Sequence, residues 1–313
     1  MDCIVLAFKV VFPILVYVSI GYGGKLLKLY DDKTIKVAND LVFKIFLPCL
    51  LFYNIYSTKI EEILNIKLII YTVTFIILLF CLLMVTVPRF IKENNKRGVF
   101  IQGVFRSNFV LFGLPVTTSI LGENNGGLTS FAIAFVVPLY NILAVICLET
   151  FRNNKINIKD ILKGICKNPL IISSFLGVIF LALNIKMPVI VNDVVRDLSK
   201  VATPLALIGL GGSFTFGAVK GNIKTLLALL MLKLVVVPVT AISISSFIFG
   251  FKGACVVTLI SVFASPTAVS SFTMAEGMGG DRDLAAQTVV FTSIFSILTV
   301  FLIVATTKYL GLY

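Results

Sequence analysis

Residues 104–122 read VFRSNFVLFGLPVTTSILG, and residues 256–277 read VVTLISVFASPTAVSSFTMAEG. Each stretch is apolar and long enough to cross a bilayer, and each carries a proline, Pro115 or Pro266, near its middle. A proline inside a helix removes one backbone hydrogen bond and clashes with the preceding turn. In hydrocarbon the freed backbone groups must face protein or a water-filled cavity. The two stretches therefore predict two broken membrane helices.

The second halves of these helices are expected to begin near Val116 and near Thr267, where they would cross at the bilayer centre. The N-terminal end of a helix carries about half a positive charge and free N–H donors. Two such ends that meet from opposite sides of the membrane favour an anionic ligand, and especially a carboxylate.

The predicted substrate site consists of residues around the two prolines and an asparagine on the following span. Its members are Asn108, Gly113, Pro115, Val116, Thr117, Asn141, Ser265, Pro266 and Thr267. Arg106 is expected to supply a supporting positive charge, or alternatively to organise the bundle. Hydrogen bonding between neighbouring helices is the alternative interpretation for the polar side chains. The chain contains no histidine, and neither a metal nor a cofactor is expected.

The composition identifies the lipid bilayer as the solvent of this chain. Of its 313 residues, 58% are hydrophobic and only 13% are charged, whereas a soluble domain carries roughly 25% charged residues. The net charge of +12 sits in short gaps between apolar runs, which is typical of loops that face anionic headgroups rather than nucleic acid. The absence of histidine and of paired carboxylates at mid-span argues against an enzyme.

The apolar runs predict ten transmembrane helices. They are expected at 4–24, 38–57, 67–88, 99–121, 128–149, 168–186, 200–217, 225–249, 253–276 and 285–306. Sixteen Lys and Arg residues follow odd-numbered spans and seven follow even-numbered spans. The positive-inside rule therefore places the odd loops in the cytoplasm and both termini outside.

The order of the prolines predicts an internal repeat. Four prolines of the first half recur in order in the second half, as the pairs Pro13–Pro169, Pro48–Pro204, Pro88–Pro238 and Pro115–Pro266. The offset is five spans, an odd number, so the second half is expected to be inverted in the membrane. The predicted units are a first five-helix repeat at 1–151, a cytoplasmic linker at 152–167 and a second, inverted repeat at 168–313.

Three segments together resemble the auxin efflux carrier family, in its small bacterial form. They are the R-x-N-x-x-x-x-G-x-P pattern of 106–115, NPLIISSFLG at 168–177 and SPTA at 265–268. The resemblance implies a scaffold of spans 1, 2, 6 and 7 and a transport domain of spans 3–5 and 8–10 that moves like an elevator. It also implies anionic substrates such as auxin or malonate-type carboxylates, and a homodimer.

These observations predict a secondary transporter in the plasma membrane that moves a small organic anion, either an auxin-like or a dicarboxylate compound. Export is the expected direction, because an inside-negative potential favours the exit of a monovalent anion by about 2.3 kcal/mol per 100 mV. Coupling to Na⁺ or H⁺ is left open. The alternative function is a membrane-embedded ligand sensor with the same fold.

Overall fold

The computed structural model describes residues 2–57, 65–122, 127–152, 164 and 166–313, and none of these residues lies in a β-strand. The helices, in chain order, are α1 (Asp2–Leu26), α2 (Asp32–Leu41), α3 (Leu47–Tyr56), α4 (Ile66–Phe90), α5 (Asn94–Phe105), α6 (Leu114–Leu121), α7 (Gly127–Arg152), α8 (Pro169–Ala182), α9 (Val189–Ser213), α10 (Gly217–Met231), α11 (Val237–Ser243), α12 (Ala254–Phe263), α13 (Ser270–Gly277) and α14 (Arg282–Tyr309). Most of the predicted linker, 152–167, lies outside the described residues.

Within the described residues, five helical stretches are long and apolar enough to cross a membrane. They are Ile66–Phe90, Asn94–Leu121, Phe131–Arg152, Gly217–Ile248 and Arg282–Tyr309. Shorter apolar helices cover Val11–Leu26, Pro169–Ala182 and Ala254–Phe263. The prediction of an all-helical, multi-pass membrane protein is confirmed, while the ten-span inverted repeat stays a prediction.

Wider π-helical turns precede three of the prolines. The turns Val42–Phe46, Phe109–Gly113 and Leu232–Val236 each end two residues before a proline, in the order Pro48, Pro115 and Pro238. The proline ring has no N–H and would clash with the carbonyl four residues earlier. A π turn widens the helix at that point, so each helix continues through its proline instead of breaking there.

The interruption of the fourth span is therefore not at Pro115, and the expected start of its second half near Val116 is wrong. Helix α5 ends at Phe105, and the helix resumes at Phe109, about two turns before Val116. In the ninth span α12 ends at Phe263 and α13 begins at Ser270. Here Pro266 does lie inside the interruption, and the expected start near Thr267 is early by three residues.

The helices pack as two groups. The first helix group consists of α1, α2, α3, α8 and α9, where α9 packs against α1, α2 and α3, and α3 packs against α8. The second helix group consists of α4–α7 and α10–α14, where α5 packs against α4 and α7, and α14 packs against α5, α10 and α13. The groups meet where α1 contacts α6 and α14 and where α7 contacts α8.

Glycines set the close contact between α1 and α9. A Cβ atom on Gly21 would collide with the carbonyl oxygen of Ile208, and one on Gly211 would collide with the carbonyl oxygen of Val18. In lipid, helices associate through close van der Waals packing, which small residues permit. The two glycines therefore fix the distance between these helices.

The Gly211→Ala variant should unfold at a temperature several degrees lower than the wild type, because its methyl group strikes backbone that has no side-chain freedom to yield. Overpacking of this kind costs about 1–3 kcal/mol. Thermal unfolding in detergent measures the effect. The matched control is Gly221→Ala on α10, where an added Cβ meets no atom within 4 Å. Equal melting temperatures for the two variants would contradict the proposed contact.

Candidate functional site: a cavity between the two interrupted helices

Two hydrogen bonds join the interrupted segments of the fourth and ninth spans. The backbone N–H of Asn108 donates to the carbonyl oxygen of Pro266 at 2.7 Å. The hydroxyl of Thr267 donates to the carbonyl oxygen of Gly103, also at 2.7 Å. Backbone groups that the interruptions release are thus satisfied by the opposite segment, as burial in an apolar environment requires.

A cavity of about 60 Å³ lies beside this junction, between the two helix groups. The second helix group contributes both interruptions and α7, through residues that include Arg106, Ser107, Asn108, Tyr140, Asn141 and Ser270. The first helix group contributes α3 and α9, through Leu47, Leu50, Leu51, Asn54, Ala202, Thr203 and Ala206. The wall from the first group is mainly apolar. The wall from the second group combines these polar residues with apolar ones, namely Phe109, Val110, Leu111, Val137, Ala268 and Val269.

Arg106 carries the positive charge of the cavity. Its side chain is buried, and its guanidinium donates to Asn141 Oδ1 at 2.8 Å and to Ser270 Oγ at 2.7 Å. It also contacts the sulfur of Met274. Among the described residues no carboxylate pairs with this guanidinium. The neutral neighbours hold the guanidinium in place and leave its charge available to an anion.

Asn108 presents an unused donor at the same cavity. The residue is only 5% exposed, and its side-chain Nδ2 has no hydrogen-bond partner within the part of the chain that the structure describes. A buried amide without a partner is costly. This donor, like the hydroxyl of Tyr140 in the same lining, is therefore available to a ligand.

Two helix N-termini reach the cavity from different spans. Asn108 precedes the helical stretch that begins at Phe109, and Val269 precedes α13, which begins at Ser270. All four residues line the cavity. Each N-terminus adds a partial positive charge to that of Arg106, so the electrostatics of this wall suit an anion.

A second buried cation lies behind the fourth-span interruption. The side chain of Lys233 is 0% exposed, and its ammonium donates to the hydroxyl of Ser107. Arg106 and Lys233 are the only charged residues buried among the described side chains, and no Asp or Glu accompanies them. The interior around the interruptions is therefore electropositive.

The structure brings part of the predicted site together at this cavity. Arg106, Asn108 and Asn141 line it, whereas the side chains of Pro266 and Thr267 do not. Pro266 and Thr267 instead hold the two interruptions together through the hydrogen bonds described above. Ser265, whose hydroxyl donates to the carbonyl of Ser261, also lies outside the lining.

Gly113 and Thr117 lie in the contact between the fourth span and α12. A Cβ atom on Gly113 would lie 2.7 Å from the carbonyl oxygen of Ser261, so this glycine allows the close approach of the two spans. The Thr117 hydroxyl bonds that of Ser261 at 2.7 Å. Pro115 is the second residue of α6, and Val116 belongs to a small apolar cluster. These residues shape the crossing but do not line the cavity.

Sequence reasoning missed most of the wall that the first helix group supplies. Ala202, Thr203 and Ala206 on α9 face the cavity, and so do Leu47 and Asn54 on α3. These residues are ordinary for membrane helices, so only the packing reveals them. In the sequence itself, the spacing of Ala202 and Ala206 is the only indication of this wall, because residues four apart place their small side chains on one helix face.

Comparisons with known proteins identify a family and two transporter relatives. The profile of the family described as "Membrane transport protein" matches residues 6–304. An "Uncharacterized transporter" of Methanocaldococcus jannaschii is 25% identical over 301 residues, which cover 93% of this chain and 96% of that protein. A "Putative malonate transporter" of Rhizobium meliloti is 22% identical over 296 residues, which cover 93% of this chain and 92% of that protein. The predicted family is thus confirmed: the chain belongs to the membrane transport protein family, that of the auxin efflux carriers, and is a transporter rather than an enzyme.

Proposed function

We propose that the protein is a secondary transporter that binds a small organic carboxylate in the cavity beside Arg106. The observation that carries this proposal is the convergence of a buried guanidinium, the unpartnered amide of Asn108 and two helix N-termini on one cavity. A carboxylate would accept hydrogen bonds from these donors and neutralise the charge of Arg106. The mainly apolar wall of α3 and α9 would then contact the carbon skeleton.

The substrate class follows from the two walls. Auxin-like compounds and short dicarboxylates both combine a carboxylate with a small carbon skeleton, and both fit the proposal. The name of the Rhizobium meliloti relative refers to malonate, which supports testing a short dicarboxylate first.

An elevator-type movement is the proposed mechanism, in which the second helix group slides along the first. The position of the cavity between the groups supports it, because such a movement would expose the site to each side in turn. Several polar contacts cross between the groups. At one end Asn39 donates to Glu276 and Arg282 donates to Ser213, and beside the cavity Asn141 donates to Ser174 at 3.1 Å. These contacts would have to separate during transport. The proposal includes the ten-span inverted repeat, with halves at 1–151 and 168–313.

We place the protein in the plasma membrane with both termini outside, in agreement with the loop charges, and as a homodimer, which rests on the family resemblance. Export is the proposed direction, because the membrane potential drives a monovalent anion outward without a coupled ion.

Counterflow in liposomes tests the function, with labelled malonate and indole-3-acetate as probes. The wild type should exchange at least one of them. The Asn108→Ala variant should raise the half-saturating concentration about 10- to 100-fold, because a hydrogen bond to a charged group contributes about 1.5–3 kcal/mol. The matched control is Asn192→Ala on α9, outside the cavity lining, which should exchange like the wild type.

Unchanged kinetics in Asn108→Ala would remove this residue from the site. If the folded wild type exchanges neither probe, the proposed substrate class is wrong.

A disulfide between the helix groups tests the elevator movement. In a cysteine-free background, the pair Asn39→Cys and Glu276→Cys should stop exchange when oxidised and restore it when reduced, because the bond would join groups that must slide. The control bond is made in the same background with Cys255 restored and Asn65→Cys added. The sulfur of Cys255 lies 3.2 Å from Asn65 Nδ2. Both residues move with the second group, so this bond should leave exchange intact. Full exchange while the bond between the two helix groups is formed would contradict the mechanism.

The orientation can be read from cysteine labelling in intact cells. A retained Cys166, which is exposed within the predicted linker, should react with a membrane-impermeant maleimide only after the membrane is opened. Tyr309→Cys, at a residue that is 90% exposed, should react in intact cells. The reverse pattern would invert the proposed topology.

A further inference from the structure

Lys233 occupies a position that the proposed substrate site does not explain. It lies on the π-helical turn Leu232–Val236, which packs against α5 and α14. Its fully buried ammonium donates to the hydroxyl of Ser107, the middle residue of the fourth-span interruption. Lys233 is not among the residues that line the cavity. Lys233 therefore contacts the interruption on the side away from the cavity, through its hydrogen bond to Ser107.

An ammonium in the membrane interior needs compensating negative charge, because its transfer from water is costly. No Asp or Glu is buried among the described side chains. Helix α5, which the π turn contacts, ends at Phe105, two residues before the Ser107 that accepts the hydrogen bond of Lys233. A helix C-terminus carries partial negative charge on its free carbonyl groups. The ammonium is thus placed beside the C-terminal end of a half-helix.

Half-helix C-termini and unwound carbonyl groups are the places where carriers with interrupted helices bind coupling cations. We propose that the Lys233 ammonium is a tethered cation that takes the place of such a coupling ion. It holds the interruption 106–108 in the conformation that presents Arg106 and Asn108 to the substrate. This inference rests on the proposed function and concerns its possible Na⁺ coupling: exchange requires no Na⁺.

Because the cation is covalently attached, its occupancy does not depend on the ionic composition of either side. Its charge also stays with the second helix group in every conformation. A variant that lacks the ammonium but leaves its space open should therefore need a small cation from solution in order to exchange substrate.

The experiment compares wild type, Lys233→Ala and Lys233→Met in liposomes, with malonate and indole-3-acetate counterflow as the readout. The wild type should exchange at the same rate in Na⁺ and in N-methylglucamine salts. The exchange rate of Lys233→Ala should be at least tenfold below that of the wild type in N-methylglucamine salts. It should rise several-fold when methylammonium is added. Lys233→Met fills the space with an uncharged chain, so it should lose exchange without recovery. Lys224→Ala, which removes an exposed lysine from α10, is the matched control and should behave like the wild type.

A dependence of wild-type exchange on Na⁺ would overturn the inference, and so would wild-type rates in Lys233→Met. Failure of methylammonium and Na⁺ to restore folded Lys233→Ala would also overturn it. If Lys233→Ala does not fold, the inference is tested by the Na⁺ dependence of wild-type exchange and by the exchange rate of Lys233→Met.

A thermal measurement separates this inference from the proposed function. Methylammonium should raise the melting temperature of purified Lys233→Ala in detergent, because a ligand that binds only the folded state stabilises it. It should leave the wild type and Lys224→Ala unchanged. If the wild type exchanges neither carboxylate, the proposed function fails, while this thermal shift still tests the cation position. No shift in folded Lys233→Ala would contradict the tethered cation.

Discussion

The hydrogen bond from the Asn108 N–H to the Pro266 carbonyl joins two helical segments that are each interrupted in the apolar interior of the protein. Water is not available there to satisfy released backbone groups, so each interruption depends on the other. The junction fixes where the helix restarts at Phe109 and at Ser270, and so directs two helix N-termini at one cavity. The positions of Arg106, Asn108 and Ser270 all follow from it.

Two buried basic residues flank the interruption of the fourth span. Arg106 and Lys233 are buried on either side of the same short interruption, one lining the cavity and the other behind it. Neutral groups, Asn141, Ser270 and Ser107, orient the two cations. In the proposed account the substrate neutralises Arg106 during transport, whereas the C-terminal end of α5 permanently compensates Lys233. The carrier would then remain loaded with one cation and exchange only its anion.

The sequence predicted the membrane class, the family and the two interrupted spans, because hydropathy and proline are local signals. It placed the fourth-span interruption at Pro115, since the rule for proline in helices does not anticipate the π turn Phe109–Gly113 that accommodates it. Arg106, Asn108 and Asn141, three of the residues predicted from the sequence, line one cavity, and their role in substrate binding stays a prediction. The wall from α3 and α9 was not predicted, because it depends on how helices that are distant in the sequence pack together. Leucine and alanine are common in membrane helices and do not indicate such a wall.

A cryo-electron microscopy structure with malonate bound tests the central claim most directly. The account predicts ligand density between Asn108 and Ser270, with a carboxylate within hydrogen-bond distance of the Arg106 guanidinium and the Asn108 amide. Density at the apolar cavity of about 250 Å³ between α11 and α14 instead, or a filled site with Arg106 turned away from the ligand, would contradict it.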